Sequence, residues 1–487
     1  MSSRVVSRTR SRALVPRRVI TAATAAAAVA AVLVGGGLLP SESASFQPGR
    51  PALVGKTTTI CTVAPAVDAT TTVSAVAIRQ DPIREGSLTA TLLGADQPAV
   101  TITEPGHGEQ LSPPKVPVLL EGEGTMATAS SGVVFGTATA EDEAGLMAAP
   151  CTPPSTEHWF PGIGTTPSHR SELILSNPDD SQAEVDLRFF GRNGIVVVPG
   201  SPGVAIEAHA SRTVALEPLV DAEGPLTVWV RASEGRVSAV SRELFSNDLA
   251  PAGADWQTSS LPPSRVVVIP AVPEGDGARE LTVVNPGPGR AEVSVQVLGL
   301  QGAYAPIGAE KITLAPESTA SVSLEEGLAG ESGSIRLVSD QPVTGAVLST
   351  SRRPDGQPDI AVQSAQAPLI RTGVSALATT DGADSDLVFA NSADVDTMIS
   401  FEVVSFAGVT LRRDEVLVTA NGTATRRLNS PAPSYLVVRV PDGSAIFAGI
   451  VLSQPEGALA GLSTLAATSP DVASRAPDAV PDPTVGR

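Results

Sequence analysis

Four histidines are the side chains in this 487-residue sequence best suited to acid–base or metal chemistry: His107, His158, His169 and His209. Histidine is the usual general base at neutral pH and a common metal ligand. No two of the four stand at metal-ligand spacing, and no glycine-rich, zinc-protease or nucleophile-elbow motif stands in a matching context. The sequence therefore indicates no catalytic residue, no metal ligand and no cofactor. We expect that replacing any one histidine with Ala leaves the cellular role of the protein intact.

Clustered carboxylates are the next candidates for chemistry. Glu141, Asp142 and Glu143 form one cluster, and Asp179 with Asp180 forms another. Such groups could bind Ca²⁺, but a calcium loop needs several oxygen ligands at set spacing, and the pattern DxDxDG is absent. We therefore interpret both clusters as solvated acids in turns.

The sequence contains two cysteines, Cys61 and Cys151. An isolated pair in an oxidising compartment is most simply one disulfide. Closing a loop of about 90 residues would remove roughly 4–5 kcal/mol of unfolded-state entropy in the chain-entropy model. Two buried free thiols are the alternative, whereas a metal site is excluded because neither cysteine has a further ligand at suitable spacing.

The elements that would position these side chains follow from an internal repeat. The segment ELILSNP at 172–178 recurs as ELTVVNP at 280–286 and as DLVFANS at 386–392, with starts 108 and 106 residues apart. Each segment is followed by a run of alternating apolar and polar residues that ends in Gly. Next come a few small or polar residues that lead into another alternating strand, and then a hairpin. Residues from about 60 to 151 match two of these elements and form a degenerate fourth copy.

Within each copy the hydrophobic period is two, which predicts strands with one buried and one solvated face. Short strands separated by Gly, Pro, Asn and Asp turns are typical of an antiparallel β-sandwich. We therefore predict an all-β protein made of tandem antiparallel, immunoglobulin-like β-sandwich modules that follow one N-terminal hydrophobic helix. A β-propeller is the alternative, disfavoured because the repeats lack a half-period. Leu173, Leu281 and Leu387 should occupy equivalent buried positions.

The predicted organisation has eight parts. They are an Arg-rich cytoplasmic segment (1–18), a transmembrane anchor or signal sequence (19–39), a linker (40–59), the degenerate copy (60–150), three full copies (151–262, 263–368 and 369–464) and a disordered tail (465–487).

Trp159 and Phe160 lie in EHWFPG at 157–162, the richest aromatic spot in the chain. The pair could form an exposed recognition patch between the first and second copies. Alternatively, Trp159 anchors the core of the second copy, in the position that Val268 to Pro270 take in the third. Aromatic residues are scarce here and cores need them, so the second interpretation is favoured.

The N-terminal region indicates export. Residues 19–39 are uncharged, follow six arginines and end before Pro40. A cationic flank followed by an apolar helix is typical of a signal or anchor with its N-terminus inside. The length favours a retained single-pass anchor, whereas the weak hydrophobicity and the small residues at 43–45 allow cleavage and secretion. Either way, the rest of the chain is expected outside the cytoplasm.

Charge excludes two kinds of partner. The formal net charge is −18, although six arginines precede the apolar segment, so the remainder is more acidic still. So acidic a body repels nucleic acid phosphates and anionic lipid surfaces. The expected partner is an envelope protein or a cell-wall component, and the membrane is contacted only through an uncleaved N-terminal helix.

Several segments carry a resemblance to a known family. They are the export segment, the two cysteines, and the segments EHWFPG (157–162), SELILSNPDD (171–180), GADW (253–256) and RVVVIP (265–270). Together they resemble the actinobacterial secreted family catalogued as domain of unknown function 5719, and the Ala, Val, Arg and Pro bias is similar to that of a high-GC actinobacterial proteome. That family has no assigned activity, so the resemblance implies compartment and architecture only.

These observations lead to one expectation about function and two alternatives. We expect a non-enzymatic envelope protein whose β-sandwich array serves as a scaffold or binding surface. The first alternative is an enzyme or enzyme accessory that acts on cell-wall glycan. It would require an open groove between modules, rimmed by carboxylates and by Trp159, Trp229 or Trp256. The second is an adhesin, for which an exposed apolar patch of a few hundred Å² would be the sign.

Overall fold

The structure is a computed structural model. It describes residues 50–52, 54–62, 70–79, 85–112, 115–140, 143–220, 224–247, 250–351, 358–377, 384–428, 433–454, 461–470 and 474–476. The predicted cytoplasmic segment and the predicted hydrophobic helix at 19–39 lie outside these residues. Within them, no helix is long and apolar enough to cross a membrane.

The chain forms two compact units. The described part of the smaller one, which comprises residues 1–52 and 474–487, is a single antiparallel pair between β1 (Arg50–Ala52) and β36 (Ser474–Ala476). The larger unit, residues 53–473, contains the remaining described elements.

The larger unit consists of four antiparallel β-sandwiches, one for each predicted copy. The first contains β2 (Lys56–Cys61), β3 (Thr70–Ala77), β4 (Gly86–Leu92), β5 (Val100–Ile102), β6 (Gly108–Leu111), β7 (Val118–Gly124), a 3₁₀ turn (Thr125–Thr128), β8 (Ser130–Ala140) and β9 (Glu143–Pro150). The second contains β10 (Glu157–Ile163), β11 (Thr165–Thr166), β12 (His169–Asn177), β13 (Ala183–Gly191), β14 (Gly194–Val196), β15 (Val204–Ile206), β16 (Ala210–Ala215), β17 (Leu226–Glu234), β18 (Ser238–Asn247) and β19 (Ala250–Thr258).

The last two sandwiches repeat this plan. The third contains β20 (Ser264–Val272), β21 (Arg279–Asn285), β22 (Ala291–Gly299), β23 (Gly302–Tyr304), β24 (Lys311–Leu314), β25 (Ser318–Ser323), the short helix α1 (Glu325–Leu328), β26 (Gly333–Thr350) and β27 (Ile360–Ser364). The fourth contains β28 (Thr372–Leu377), β29 (Asp384–Asn391), β30 (Thr397–Ser405), β31 (Thr410–Val418), β32 (Gly422–Leu428), β33 (Ser434–Arg439), β34 (Ile446–Gln454) and β35 (Gly461–Ala466).

All four copies share one strand order. In the first, the sheets run β2-β7-β4-β5 and β6-β3-β8-β9, and in the fourth they run β28-β33-β30-β31 and β32-β29-β34-β35. The second and third copies follow the same order, with β26 long enough to serve in both sheets of the third. The central pairs, second strand with fifth and third with sixth, are those of an immunoglobulin sandwich. Two other pairings differ from those of an immunoglobulin sandwich. Here the first strand pairs with the sixth, as β2 does with β7, and the seventh strand pairs with the second, as β8 does with β3.

Each copy has a hydrophobic core between its two sheets, which makes the copies sandwiches and not single-sheet propeller blades. The prediction for the repeated leucine is confirmed. Leu173, Leu281 and Leu387 lie on β12, β21 and β29, the second strands of three copies, and all three are fully buried. Burial follows from the period of two, which directs alternate side chains inward.

A buried asparagine ends the same strand in three copies: Asn177, Asn285 and Asn391. In each, Oδ1 accepts a hydrogen bond from the backbone N–H two residues later, at 3.0–3.1 Å. In each, Nδ2 donates to the carbonyl four residues later, at 2.7–2.8 Å. Nδ2 also donates to a second carbonyl, which lies near the end of β15, β24 or β31 in the respective copy. In the third copy this acceptor is Ala315 O, at 2.9 Å. The repeated Asn thus closes one turn and fastens a second loop to it.

The last strands of the four copies meet at the centre of the larger unit. β9 contacts β19 and β35, and β27 contacts the same two strands, so the four strands form a closed ring. First and fourth copies also bond directly, because Tyr435 Oη donates to Gly106 O at 2.8 Å and Gly108 N–H donates to Phe406 O at 3.0 Å. The degenerate first copy therefore closes the ring.

Asp359 is the side chain at the centre of this ring. Its Oδ1 accepts hydrogen bonds from Ala254 N at 3.3 Å and Ile360 N at 2.8 Å. Its Oδ2 accepts from Leu146 N at 2.8 Å and Leu462 N at 2.9 Å. The four donors come from β9, β19, β27 and β35, so one carboxylate joins all four copies. Burial raises its pKa to about 7, against the opposing effect of the four N–H groups.

Asp255 forms a second carboxylate layer beside the first. It accepts from Ala148 N at 3.4 Å, Val362 N at 3.0 Å and Ser463 Oγ at 2.9 Å, which belong to the other three copies. Asp255 is fully buried, and burial raises its pKa well above the ordinary value. Both acids are acceptors for backbone groups that would otherwise be buried without partners.

The fourth copy extends beyond the predicted boundary at 464. Leu465 and Ala466 belong to β35, which pairs with β34, and Thr468 forms a bridge with Val374. The prediction of a disordered tail from 465 is therefore wrong for these residues, because the edge of the sheet supplies hydrogen-bond partners that composition does not reveal. Ser474–Ala476 is likewise a strand, paired with β1.

The predicted disulfide between Cys61 and Cys151 is present, with the Cα atoms 4.1 Å apart. Cys61 ends β2 in one sheet and Cys151 follows β9 in the other, so the bond ties the two sheets of the first sandwich together. Both cysteines are buried in the core of that sandwich.

Candidate functional site

A cleft of about 410 Å³ lies between the second and third sandwiches. Its walls come from β10, the turn to β11, and the ends of β12 and β18 on one side, and from β21, β25 and β26 on the other. This volume lies within the range of small-molecule sites, and clefts between domains are a common place for them. The cleft is therefore the best candidate for a ligand site in the described part of the chain.

A hydrogen-bonded network centred on Glu243 forms one wall of the cleft. The Glu243 carboxylate is 1 % exposed. It lies 2.7 Å from His169 Nε2, and it accepts hydrogen bonds from the hydroxyls of Ser171 and Ser241. On the antiparallel strands β12 and β18, Ser171 is directly opposite Glu243, and His169 is opposite Phe245. Cross-strand pairing therefore brings the network together.

The His169 ring is held in one orientation. It stacks on Phe245 with the ring centroids 3.9 Å apart, and its Nε2 donates to the Glu243 carboxylate. Gly164 lies directly over the ring, because a Cβ at that position would be 2.2 Å from His169 Cγ. Nδ1 has no hydrogen-bond partner among the described residues, so it is the ring atom left for a ligand.

The described residues supply no nucleophile for this pair of a carboxylate and a histidine. A carboxylate that orients a histidine is part of many hydrolytic sites. Ser171 is the nearest hydroxyl, but its Oγ donates to Glu243 and accepts from Gly164 N at 2.7 Å, and the side chain is buried. Within the described ranges, no hydroxyl or thiol is hydrogen-bonded to the His169 ring. The network is thus suited to shaping the cleft and contacting a ligand.

Two opposite charges line the cleft on different walls. Arg192 follows β13 in the second sandwich, and Glu280 lies on β21 in the third. Both side chains are exposed, and neither has an ion-pair or hydrogen-bond partner among the described residues. Gly224 lies beside Arg192, so the wall next to the guanidinium is bare backbone. Ile163, Phe245 and Leu348 add apolar surface.

The four histidines considered in the sequence are not brought together. His158 is buried and its Nε2 donates to Val237 O at 2.8 Å, and burial lowers its pKa to about 4. His107 lies 3.6 Å from Glu104, and His209 lies 2.8 Å from Asp180 on the surface. His209 holds a left-handed backbone conformation (φ 52°), as do Glu317 and Asn421 just before the fifth strand of their copies. Only His169 lines the cleft.

Trp159 and Phe160 do not form an exposed recognition patch, because they are 3 % and 0 % exposed. Phe160 packs in the core of the second sandwich. Trp159 packs with Phe190 and with Val284 of the third sandwich, where the two copies join. The structure thus supports the core interpretation, and it adds that Trp159 is part of the joint between copies.

The other tryptophans do not line the cleft either. Trp229 is half-buried and stacks on Trp159 with the ring centroids 5.0 Å apart. Trp256 is buried in a cluster with core residues of the first sandwich. The tryptophan rim expected for a glycan-active groove is therefore absent from the described part of the cleft.

Metal binding has no candidate in the described ranges, where no three His, Cys, Asp or Glu side chains are grouped to hold an ion. Asp179 instead makes a bidentate pair with Arg236 at 2.9 Å, which lowers the pKa of the carboxyl. Residues 141 and 142 of the other acidic cluster lie outside the described residues.

Sequence reasoning missed Glu243, Asp255 and Asp359. The alternation of side chains along β18 could have revealed Glu243. It lies on the same inward face as Ala239 and Ser241, where an acid is unexpected. Asp255 and Asp359 each belong to only one of the copies, so a search for recurring residues passes over them.

Comparison with known proteins yields a family but no activity. No curated protein matches the chain. The crystal structure of Thermotoga maritima 1070 is similar over 22 % of this chain and 96 % of that one, with 14 % identity and a TM-score of 0.19, which establishes no common fold. The model of a family of unknown function, DUF5719, matches residues 100–429, which span parts of all four sandwiches. That match covers more than half of the chain, which therefore belongs to the DUF5719 family.

Proposed function

We propose that the protein is an exported, non-enzymatic binding protein of the cell envelope, in which four sandwiches form a scaffold that holds a ligand cleft. The observation that carries this proposal is the centre of the ring. A single buried carboxylate, Asp359, accepts N–H groups from the last strands of all four copies. A scaffold locked in this way keeps the cleft walls of the second and third sandwiches at a constant separation, and preorganisation of this kind favours binding.

Two features support an extracytoplasmic location. The Cys61–Cys151 disulfide fits an oxidising compartment, since cytosolic thiols are kept reduced. The uncharged segment 19–39 after an arginine-rich flank supports export through the membrane, as a retained anchor or as a cleaved signal.

Binding is favoured over catalysis by the state of the cleft's polar groups. The most buried acid, Glu243, is already occupied by three hydrogen bonds, and Ser171 is used as a donor within the wall. A catalytic acid or nucleophile has to reach the substrate, and these groups point into the network.

The test uses the full chain. Purified protein would be sedimented with insoluble cell-wall material, and soluble glycan fragments would be measured in the supernatant by chromatography. We expect the protein to sediment without releasing fragments. Failure to sediment in the presence of both envelope proteins and wall material would contradict the proposal.

A glycan-active enzyme is the second candidate, favoured by one observation: the carboxylates of Glu243 and Glu280 line the same cleft between modules. Paired carboxylates are the machinery of glycoside hydrolysis. If wall material releases fragments with the native chain but not with Glu280→Gln, this candidate replaces the first.

An adhesive surface has weaker support. Leu411 and Leu417 are exposed on the outer face of β31, but Arg413 and Glu415 stand between them on the same face. The apolar surface of this strand is therefore interrupted by charges.

A further inference from the structure

The cleft between the second and third sandwiches holds a positive and a negative side chain that do not neutralise each other. Arg192 stands on the wall from the second sandwich, and Glu280 stands on the wall from the third. Elsewhere the second and third copies do pair their charges, since Arg188 donates to Glu317 at 2.8 Å across the same interface. The side chains of Arg192 and Glu280, in contrast, have no ion-pair or hydrogen-bond partner among the described residues, so both charges are available to a ligand in the cleft.

The cleft suits a ligand that carries one negative and one positive group, which would pair with Arg192 and Glu280. The Arg192 guanidinium presents a planar set of donors that matches a carboxylate. The Glu280 carboxylate accepts from an ammonium group. Phe245, Ile163 and Leu348 line the same cleft and can contact a small apolar side chain.

Size and rigidity restrict the ligand further. A cleft of about 410 Å³ admits a molecule of a few residues and not a folded domain. The His169 ring is fixed by Glu243 and Phe245, so Nδ1 offers one hydrogen-bonding position at a set place on the wall. A short ligand with amide groups would use this position.

We propose that this cleft binds a small zwitterionic ligand, a free amino acid or a short peptide, with its carboxylate at Arg192 and its ammonium group at Glu280. The inference rests on the proposed binding function and names its ligand class. His169 contacts the ligand from the wall and confers directionality.

The experiment titrates the full chain with the dipeptide Ala-Leu, with N-acetyl-Ala-Leu and with Ala-Leu amide, using calorimetry at low salt. The blocked forms each lack one charge. We expect the free dipeptide to bind about threefold to fivefold more tightly than either blocked form, because each lost charge pair is formed with an exposed side chain.

Two variants assign each charge to its partner. In Arg192→Gln the preference for the free carboxylate over the amide should disappear, and in Glu280→Gln the preference for the free amine over the acetyl form should disappear. Arg265→Gln and Glu326→Gln are matched controls, since both residues are exposed and lie outside the cleft. Both controls should keep the native preferences.

Equal binding of all three dipeptides, no binding at millimolar concentration, or native preferences in both cleft variants would each overturn the proposal. Sedimentation with wall material separates this failure from a failure of the proposed function. If the dipeptides do not bind but the chain still sediments, only the zwitterion site is wrong. If neither occurs, the binding function falls as well.

Discussion

At the scale of single residues, the ionisable groups buried deepest in the molecule hold its parts together. Asp359 and Asp255 lie at the centre of the ring and accept hydrogen bonds from every copy. His158 is buried in the second sandwich and bonded to a carbonyl. A buried group whose pKa differs between the folded and unfolded states makes stability depend on pH.

We predict that the protein is less stable at pH 7 than at pH 5. Asp359, with a pKa of about 7, and Asp255, also raised, keep protons in the folded state that the unfolded chain has released above pH 4, so both lose stability as pH rises. His158 has a pKa of about 4 in the folded state and 6.5 in the unfolded state. Between these two values its contribution to stability increases as pH rises. Since two acids lose stability across this window and one histidine gains it, the net direction is a loss of stability from pH 5 to pH 7.

Urea unfolding at pH 5, 6 and 7 measures this effect. In Asp359→Asn, the free energy of unfolding should depend less steeply on pH, with a slope smaller by up to one proton. The acids whose pKa is lowered, such as Asp179, titrate below this window and do not interfere. Native stability that rises steadily from pH 5 to pH 7, with a parallel curve for the Asn variant, would contradict the assignment.

At the scale of elements, the repeated asparagine turn is the device that ends the second strand and sets where the third begins. Asn285 shows it most simply: Nδ2 donates to Gly289 O and Ala315 O, and Oδ1 accepts from Gly287 N. A shorter side chain would lose all three of these hydrogen bonds, whose backbone partners lie in half-buried or exposed residues.

We predict that Asn285→Ala destabilises the protein by about 2–4 kcal/mol, since it removes three hydrogen bonds that each contribute about 0.5–1.5 kcal/mol. Asn193→Ala is the control, because Asn193 is exposed and its substitution should change stability by less than about 0.5 kcal/mol. Equal midpoints of urea unfolding for the two variants would show that the turn does not depend on the side chain.

At the scale of the whole larger unit, three glycines occupy the layer of the central carboxylate, and one of them, Gly145, lies directly against it. Each copy has an isolated β-bridge after its last strand, formed by Thr152, Ser260, Gln366 and Thr468 in chain order. The residues seven positions before these bridges are equivalent, and they are Gly145, Gly253, Asp359 and Gly461. A Cβ on Gly145 would lie 2.5 Å from Asp359 Oδ1. At the four equivalent positions, one residue is therefore large and polar, and the other three are glycines that leave room around it.

Gly145→Ala should accordingly destabilise the protein by about 2–3 kcal/mol through crowding at the centre. Gly55→Ala offers a matched control, since a Cβ there would meet nothing within 4 Å. If both variants unfold at the native urea concentration, the centre is not closely packed.

The closed ring also predicts cooperative unfolding, which the distribution of tryptophan makes measurable. In a Trp256→Phe background, the remaining Trp159 and Trp229 report on the second sandwich, whereas the disulfide lies in the first. Trp256 is replaced because it packs on the core of the first sandwich. Replacing both Cys61 and Cys151 with Ser should cost about 2–5 kcal/mol. It should shift the tryptophan fluorescence transition together with the circular dichroism transition. A fluorescence transition that stays in place while dichroism is lost earlier would mean that the first copy unfolds alone.

Much of the architecture could be predicted from local pattern, because a period of two and turn residues act within a few positions of the chain. The sandwich class, the four copies, the buried leucines at 173, 281 and 387, and the Cys61–Cys151 bond follow from such signals. The choice between core and patch for Trp159 also followed from composition, because a chain so poor in aromatic residues places them inside.

The sequence by itself determined what depends on neighbours along the chain: where the strands run, where they turn, and which face of each is apolar. Only the tertiary structure decided what depends on residues far apart. Asp359 is an ordinary acid in the sequence, and it becomes central because strands more than 100 residues away from it, β9 and β35, begin beside it. Likewise, the cleft exists only where two copies meet, so Arg192, Glu280 and His169 share a site that no spacing in the sequence records.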